Sequence, residues 1–108
     1  MDIAAILTAK FPDALWGESN NDYATLVWDE SNADPKPTKA KLEKMWPQVQ
    51  YENELAAVKA ARHARYVAET DPLFYKAQRD EDGVTLDDWK AAVAQIKAEL
   101  PKPTPPEA

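Results

Sequence analysis

Proline positions constrain this chain more than any other sequence feature, because proline ends, kinks or begins a helix and is disfavoured inside one. The chain has 108 residues and nine prolines, and most of these border predicted elements. The bordering residues are Pro12, Pro35, Pro37, Pro47, Pro72 and Pro101. They predict several short elements and one long helix, which occupies the proline-free and glycine-free stretch from residue 48 to about residue 69.

The N-terminal segment predicts a helix followed by a β-hairpin. Asp2 is a good N-cap, and the apolar positions after it share one helix face. Those positions are Ile3, Ile6, Leu7 and Phe11. After Pro12, Leu15–Trp16 and Tyr23–Trp28 flank a turn-forming run, Gly-Glu-Ser-Asn-Asn-Asp, which predicts the hairpin. The second strand has apolar groups on both faces, so we expect one face to pack on the helices and the other on a partner.

The middle of the chain predicts two helices that meet near Pro47. Thr38 is a suitable N-cap for the first helix, whose apolar face carries Leu42, Met45 and Trp46. Pro47 breaks or kinks that helix, or begins the next one at its first turn. The second helix has a thin apolar stripe, and its many alanines bury little area. We therefore expect it to need a neighbour, either in the same chain or in another copy.

The C-terminal segment predicts a helical hairpin. Asp71 as N-cap, with Pro72 at the first helical position, begins a short helix. Thr85 begins the last helix, with Asp88 in capping-box spacing, and Gly83 provides a positive φ in the acidic turn between the two. The last helix has the clearest amphipathic stripe of the chain. This stripe consists of Leu86, Trp89, Val93, Ile96 and Leu100.

Together these elements predict an α+β fold that is mainly α. The order is helix, β-hairpin and helix, followed by a long helix and a C-terminal helical hairpin. We assign residues 1–47 to a small helix–hairpin–helix domain and residues 48–100 to a helical extension that includes the helical hairpin. Residues 101–108 are a proline-rich tail that we expect to be extended and to contribute nothing to a core.

Charge and composition argue against several classes of partner. The net charge is −6 and there are no cysteines. Nucleic-acid binding needs a lysine and arginine footprint, so no nucleic-acid partner is expected. The N-terminal apolar run is too short for a signal peptide or a membrane span, so no membrane partner is expected. Residues 1–37 carry a net −5, residues 38–70 a net +2 and residues 71–108 a net −3. These charges either serve only to keep the helix faces hydrated or steer copies of the chain into head-to-tail association.

No residue pattern predicts catalysis. The acidic run 80–82 before Gly83 invites comparison with a calcium loop, but that register places Gln78 and Trp89 where the first carboxylate and the bidentate glutamate belong. The single histidine, His63, has no second histidine or carboxylate at metal-ligand spacing. We therefore predict that the protein is not an enzyme and that it holds no cofactor and no metal.

Aromatic and aliphatic side chains supply the predicted interaction residues. Trp16 and Trp28 frame the hairpin and can pair across it, and tryptophan and tyrosine are enriched at protein interfaces. The long helix adds its thin stripe, which needs a neighbour. The resulting interface candidates are Trp16, Tyr23, Trp28, Tyr51, Leu55, Val58 and Phe74.

Two segments resemble tail-region proteins of tailed bacteriophages. In the first, Lys-Phe-Pro-Asp-Ala at 10–14 ends a helix, Asp-Tyr-x-x-Leu-x-Trp occupies 22–28, and Pro-Thr at 37–38 precedes a helix that ends in Trp46. This pattern is similar to the XkdW-like family. In the second, Asp-Pro-Leu-Phe at 71–74 precedes Gln-Arg, an acidic gap, a tryptophan-bearing helix and a proline. That pattern resembles the C-terminal module of tail and tail-fibre-associated proteins.

The resemblance implies a non-enzymatic phage protein of the virion, made in the host cytoplasm and placed in the tail or the fibre and baseplate region. Its partners would be other phage structural proteins, copies of itself, or both. The alternative is a tail or tail-fibre assembly chaperone that the mature virion does not retain. A small regulator of a host factor is a third reading. The resemblance leaves the stoichiometry, the partner and a tail or head position open.

Overall fold

The computed structural model describes residues 1–106. Helix makes up 59% and strand 10%, which confirms the predicted α+β fold that is mainly α. The elements are α1 (Ile3–Lys10), β1 (Trp16–Ser19), β2 (Asp22–Trp28), α2 (Lys39–Arg65), a π-helical turn (Tyr66–Thr70), α3 (Asp71–Arg79) and α4 (Leu86–Glu99). The chain forms two compact units, Met1–Glu52 with residues 105 and 106, and Asn53–Thr104. Both the predicted boundary after residue 47 and this division lie within α2.

The first unit has an apolar core built from α1, the hairpin and the first part of α2. Its buried side chains are Ile3, Ile6, Leu7, Leu26, Leu42 and Val49. The α1 stripe faces this core as predicted. Asp2 caps the helix, because its carboxylate accepts a hydrogen bond from the Ala5 amide at 3.1 Å. At α2, the Thr38 hydroxyl accepts a hydrogen bond from the Lys41 amide at 3.1 Å, so the predicted cap is confirmed there too.

The predicted hairpin is confirmed, and Trp16 lies directly opposite Trp28. The turn is tighter than the six-residue run suggested. Asn20 and Asn21 both have left-handed backbones, with φ of 56° and 57°. Two such residues in succession are typical of a type I′ turn, whose twist matches that of the strands it joins.

The strand pairing changes register between Gly17 and Ser19, so β2 has extra residues in this interval. The Thr25 hydroxyl occupies the gap and accepts a hydrogen bond from the Ser19 amide at 2.8 Å. Strict alternation would place Tyr23 and Leu26 on opposite faces of the strand. Because of the irregularity, both side chains pack on the core of the first unit.

Helix α2 runs through Pro47 and joins the two helices predicted on either side of it. A proline inside a helix costs about 3 kcal/mol, because it removes a hydrogen bond and crowds the preceding turn. Leu42 and Val49 lie on either side of Pro47 and are both buried in the same core. Each such burial stabilises by about 1.5–3 kcal/mol, so the pair offsets the cost of the proline.

The junction between α2 and α3 corrects the prediction that Asp71 is an N-cap. Asp71 has helical backbone angles, and its amide donates to the Tyr66 carbonyl five residues earlier. The chain therefore passes through a π-helical turn into α3 with no break, and Pro72 lies in the first turn of α3. Thr70 is buried in the π-helical turn, and its hydroxyl donates to the same Tyr66 carbonyl at 3.2 Å.

The predicted helical hairpin of the second unit is confirmed. Helix α3 ends at Asp80, which has a left-handed backbone, and Gly83 has the predicted positive φ, 68°. Thr85 and Asp88 form the predicted capping box. The Asp88 amide donates to the Thr85 hydroxyl at 3.2 Å, and the Thr85 amide donates to the Asp88 carboxylate at 2.9 Å. Ile96 of the α4 stripe is buried.

The tail forms neither helix nor strand at residues 101–106, in agreement with the predicted extended segment. Pro103 and Pro106 are half-buried, and the other four residues of this stretch are exposed. Residues 107 and 108 of the predicted tail lie outside the described residues.

Candidate interaction surface

The inner face of the hairpin packs on the core of its own chain. Trp16, Tyr23 and Trp28, all predicted interface residues, are half-buried there. The Trp28 ring packs edge-on against Phe11, with 5.5 Å between the ring centroids. The Tyr23 hydroxyl donates to the Pro37 carbonyl at 2.7 Å. These three aromatic side chains therefore hold the hairpin on the core of the first unit.

The loop after β2 covers the outer edge of that strand. The Trp28 indole N–H donates to the Asp34 carbonyl at 2.9 Å. The Lys36 ammonium donates to the Leu26 carbonyl at 2.9 Å and lies 5.1 Å from the centre of the Tyr23 ring. A lysine on a strand edge discourages the pairing of another strand. Contacts to this unit are therefore expected at a face of the hairpin, not at the edge of β2.

An open groove of about 390 Å³ lies beside Trp28, between the α1–β1 connection and the loop after β2. Its lining residues are Lys10, Phe11, Pro12, Asp13, Ala14, Leu15, Trp28, Ser31, Asn32, Ala33 and Asp34. The Asn32 carboxamide spans one wall, where it accepts a hydrogen bond from the Leu15 amide at 2.8 Å and donates to the Leu15 carbonyl at 2.9 Å. The polar groups of this wall are therefore satisfied within the chain.

The opposite face of the hairpin is exposed and apolar. Gly17 lies opposite Val27, and the Asp29 amide donates to the Leu15 carbonyl at 3.0 Å, so Leu15, Val27 and Asp29 share one face. Leu15 is 60% exposed and Val27 is 68% exposed. Hydrogen bonds from the Ser31 hydroxyl and amide lower the pKa of the Asp29 carboxyl, so Asp29 is ionised beside them. We call Leu15, Val27 and Asp29 the hairpin outer face.

The hairpin outer face contains residues that the sequence prediction did not select. The prediction favoured the tryptophans because of their size, whereas the structure uses them to anchor the hairpin. A signal was present in the strand itself. If Trp16 and Trp28 pair across the hairpin on the core side, then Leu15 and Val27 must point outward.

Helix α2 has one half-buried line in its second half, and most of the remaining surface there is exposed. Tyr51, Leu55 and Val58, the predicted interface residues of this helix, are half-buried and continue to Arg62 at helical spacing. Elsewhere on the helix, the exposed residues Ala56, Ala60 and His63 have the same spacing, which Val67 of the π-helical turn continues. Lys59 is exposed beside them. We call Ala56, Ala60, His63 and Val67 the α2 outer line.

Two arginines bind the end of α4 to α2 within the second unit. Arg62 Nε donates to the Leu100 carbonyl at 2.8 Å and Arg62 Nη2 to the Lys97 carbonyl at 3.2 Å. These carbonyls lie at the helix end, where intrahelical donors run out. Arg65 binds the Glu69 carboxylate at 2.6 Å and also the Glu99 carboxylate. The Arg65 guanidinium lowers the pKa of both carboxyls, and they raise the pKa of Arg65.

Phe74, the last predicted interface residue, packs inside the helical hairpin. Its ring centroid lies 5.1 Å from that of Trp89 and 6.0 Å from that of Tyr75. Tyr75 is 58% exposed, and Leu86 at the start of α4 is also exposed. Phe74 thus holds α3 to α4, and Tyr75 is the aromatic residue that this unit presents to solvent.

Within residues 1–106, no three His, Asp or Glu side chains converge as metal ligands. In the acidic turn, Asp82 pairs with Lys76 at 3.3 Å and Glu81 faces Arg79 at 3.9 Å. None of the helices in the described part of the chain is both long and apolar enough to cross a membrane.

Comparison with known proteins identified no relative: neither a family model nor a curated protein nor a solved structure matches the chain. The surface must therefore be interpreted from its residues. Its most distinct part is the hairpin outer face, which is apolar at Leu15 and Val27 and charged at Asp29.

Proposed function

We propose that the chain is a non-enzymatic structural or interaction protein of a bacteriophage virion, in the tail or the fibre and baseplate region. It binds other phage structural proteins, copies of itself, or both. The resemblance of two segments to phage tail-region proteins supports the phage assignment.

One observation carries the binding role: the hairpin is fixed by its tryptophans and presents Leu15 and Val27 to solvent on its other face. A short exposed strand that is apolar on both faces is unusual for a protein that works alone, because apolar patches on a surface mark contact sites. The strand is also rigid, since a type I′ turn and the core hold it. A rigid apolar face needs little ordering when it binds, and this favours affinity.

Mass spectrometry of purified virions tests the proposal. We expect the protein in particles at a fixed ratio to a known tail protein. We also expect the variant Val27→Lys to be depleted from particles while its amount in the lysate is unchanged. Leu86→Lys is the matched control, because Leu86 is an exposed apolar residue of the other unit, and this variant should be incorporated normally. Absence of the wild-type protein from mature particles would contradict the proposal.

The acidic character of residues 1–37, net −5, favours a second candidate function, a tail or tail-fibre assembly chaperone. Such a factor would cover a basic or apolar surface of a fibre subunit and then leave. Pull-down from infected cells at successive times separates the two functions. A chaperone is recovered with a fibre subunit before assembly and is missing from finished particles, whereas a structural protein is found in both.

A further inference from the structure

We propose that residues 101–106 of the proline-rich tail form a strap that closes over the half-buried line of α2. The strap covers Tyr51, Leu55 and Val58, and it withholds this apolar line from other proteins. It is therefore an autoinhibitory contact, and α2 presents the line only when the strap opens. The contact lies within one chain, so it does not depend on the proposed virion role.

The core of the first unit does not face this line. Val49 is buried in that core, and Tyr51 follows it by two positions, which is about 200° around a helix. Tyr51 thus lies on the side of α2 opposite to the core, and it is nevertheless half-buried. Leu55 and Val58 continue on the side of Tyr51 at helical spacing and are half-buried too. Another segment must therefore account for their burial.

The end of α4 places the tail at one end of the line. Arg62 lies one helical turn after Val58 on the same side of α2, and it binds the Leu100 and Lys97 carbonyls. Helix α4 ends at Glu99, so the segment that can continue along α2 is the one that follows Leu100. The strap therefore begins beside Arg62, next to the apolar line.

The length of the strap fits the line. From Leu100 to Pro106, an extended polyproline segment spans about 19 Å at 3.1 Å per residue. Along α2, Tyr51 lies about 16 Å from Arg62 at 1.5 Å per residue. Residues 105 and 106 belong to the same compact unit as Tyr51, as expected for a strap that runs back toward the first half of α2.

The burial pattern of the strap has the period of a polyproline helix. Pro103 and Pro106 are half-buried, and the other residues of 101–106 are exposed. A polyproline helix has three residues per turn, so these two prolines lie on one face. At 3.1 Å per residue, Pro103 meets the middle of the line and Pro106 meets Tyr51.

The composition of the strap allows it to open. Four of its six residues are prolines, which have no amide hydrogen to donate, so ring packing holds the strap in place. Opening breaks no helix and no strand, since residues 101–106 form neither. The strap can therefore release the line while the fold of each unit stays intact.

Engineered cysteines in the full chain test the closed strap, because the chain has no cysteine of its own. Leu55→Cys or Val58→Cys, each combined with Pro103→Cys, should form a disulfide within one chain under mild oxidation, since a disulfide needs Cβ atoms within about 4.5 Å. Ala56→Cys with Pro103→Cys is the matched control, because Ala56 is exposed and lies about 100° around the helix from Leu55. Non-reducing electrophoresis and mass spectrometry measure the yield of each disulfide.

The opening of the strap is measured with Leu55→Cys as the sole cysteine. The rate of its reaction with a thiol reagent reports how accessible the line is. Pro103→Asp places a charge against the apolar line and should raise this rate at least about threefold, because the charge resists burial. Pro105→Asp is the matched control, since Pro105 is an exposed proline of the same strap. Circular dichroism verifies that the variants are folded.

Three results would overturn the inference: no disulfide within one chain from Leu55 or Val58, a yield from Ala56 equal to theirs, or a rate that Pro103→Asp raises no more than Pro105→Asp does. A disulfide that forms between two chains, at twice the 12.1 kDa chain mass, would also overturn it, because the strap would then lie on α2 of another copy. The virion role fails separately, if the protein is absent from particles while the strap is shown to close.

Discussion

The first unit, Met1–Glu52, and the second, Asn53–Thr104, are equally long but are held together by different interactions. The first unit buries six apolar side chains from α1, the hairpin and α2 in one core. In the second unit, the buried side chains are Ile96 and Thr70. Its other contacts include a capping box, a ring pair at the helical hairpin, and arginine hydrogen bonds to helix-end carbonyls. The first unit thus depends on apolar burial and the second on polar contacts at helix ends.

Because of this difference, we expect the two units to contribute differently to binding. A hairpin anchored to a packed core keeps its outer face in one geometry, which suits a surface that must recognise a partner. The helical unit has fewer buried side chains, so its opening costs less free energy and its helix surface is easier to adjust. The four predictions below test this comparison, in order of decreasing effect.

Leu42→Ala should have the largest effect, because Leu42 is completely buried in the core of the first unit. We expect a loss of about 3 kcal/mol in the free energy of unfolding, from lost apolar burial and the remaining cavity. Denaturant unfolding followed by tryptophan fluorescence in a Trp89→Phe background reports on the first unit alone, since Trp16, Trp28 and Trp46 all lie there. Val58→Ala, at a half-buried position of the same helix in the second unit, is the comparison; with Trp89 as the reporter of that unit, it should cost about 1 kcal/mol or less. Equal losses in the two variants would contradict the distinction between the units.

Pro47→Ala should have the next largest effect and the opposite sign. Alanine restores an amide that can donate to the Glu43 carbonyl and removes the clash of the ring. Pro47 is exposed, so little burial is lost with its ring. We expect a gain of about 2 kcal/mol, somewhat less than the full cost of an interior proline because the unfolded chain also gains freedom.

The same fluorescence assay measures the Pro47 effect. Pro72→Ala is the matched control, followed through Trp89 because Pro72 belongs to the second unit, and it lies in the first turn of α3, where a proline is tolerated. It should change stability little or reduce it. A destabilised Pro47→Ala variant would mean that the ring has a packing role in the first unit.

Thr85→Ala tests the polar contacts of the second unit. It removes the hydroxyl of the capping box and should cost about 1 kcal/mol. Trp89 fluorescence, taken as the difference between each protein and its Trp89→Phe counterpart, reports on this unit, because the other tryptophans lie in the first one. Thr104→Ala is the control, an exposed threonine of the same unit outside any helix, and it should have no measurable effect. If Thr85→Ala were as harmless as the control, helix capping would not be important for this unit.

Local signals in the sequence were sufficient for much of the fold. The caps at Asp2, Thr38 and Thr85 were predictable, because a cap needs only a side-chain oxygen and the next few amides. The hairpin and the pairing of Trp16 with Trp28 were predictable from apolar alternation around a turn.

The rest depends on contacts between residues far apart in sequence. The passage of α2 through Pro47 requires that Leu42 and Val49 enter a core formed by other elements. The π-helical turn contains the buried Thr70, and burial is set by residues from other elements, which the local sequence does not show. The exposed surface also depends on contacts between distant residues. Trp28 was a reasonable interface candidate by composition, but its ring packs on Phe11. Its strand neighbour Val27 therefore points to the opposite face and is exposed.

The smallest predicted effect is acid sensitivity of the second unit through Arg65. Arg65 lowers the folded-state pKa of Glu69 and Glu99 below their ordinary value of 4.5. A lowered folded-state pKa means that the stabilisation is present above the unfolded-state pKa and is lost as pH falls through the folded-state pKa. The second unit should therefore lose stability below about pH 4.5, the ordinary value for these carboxyls. Because the ion pairs are exposed, the change is small and salt reduces it further.

Glu99→Gln should lower stability at neutral pH and flatten the acid dependence measured by Trp89 fluorescence. Glu54→Gln, at an exposed position of α2, should leave both the stability and its acid dependence unchanged. An acid dependence of Glu99→Gln as steep as that of the wild type would show that the pair of Arg65 and Glu99 does not contribute to the acid response.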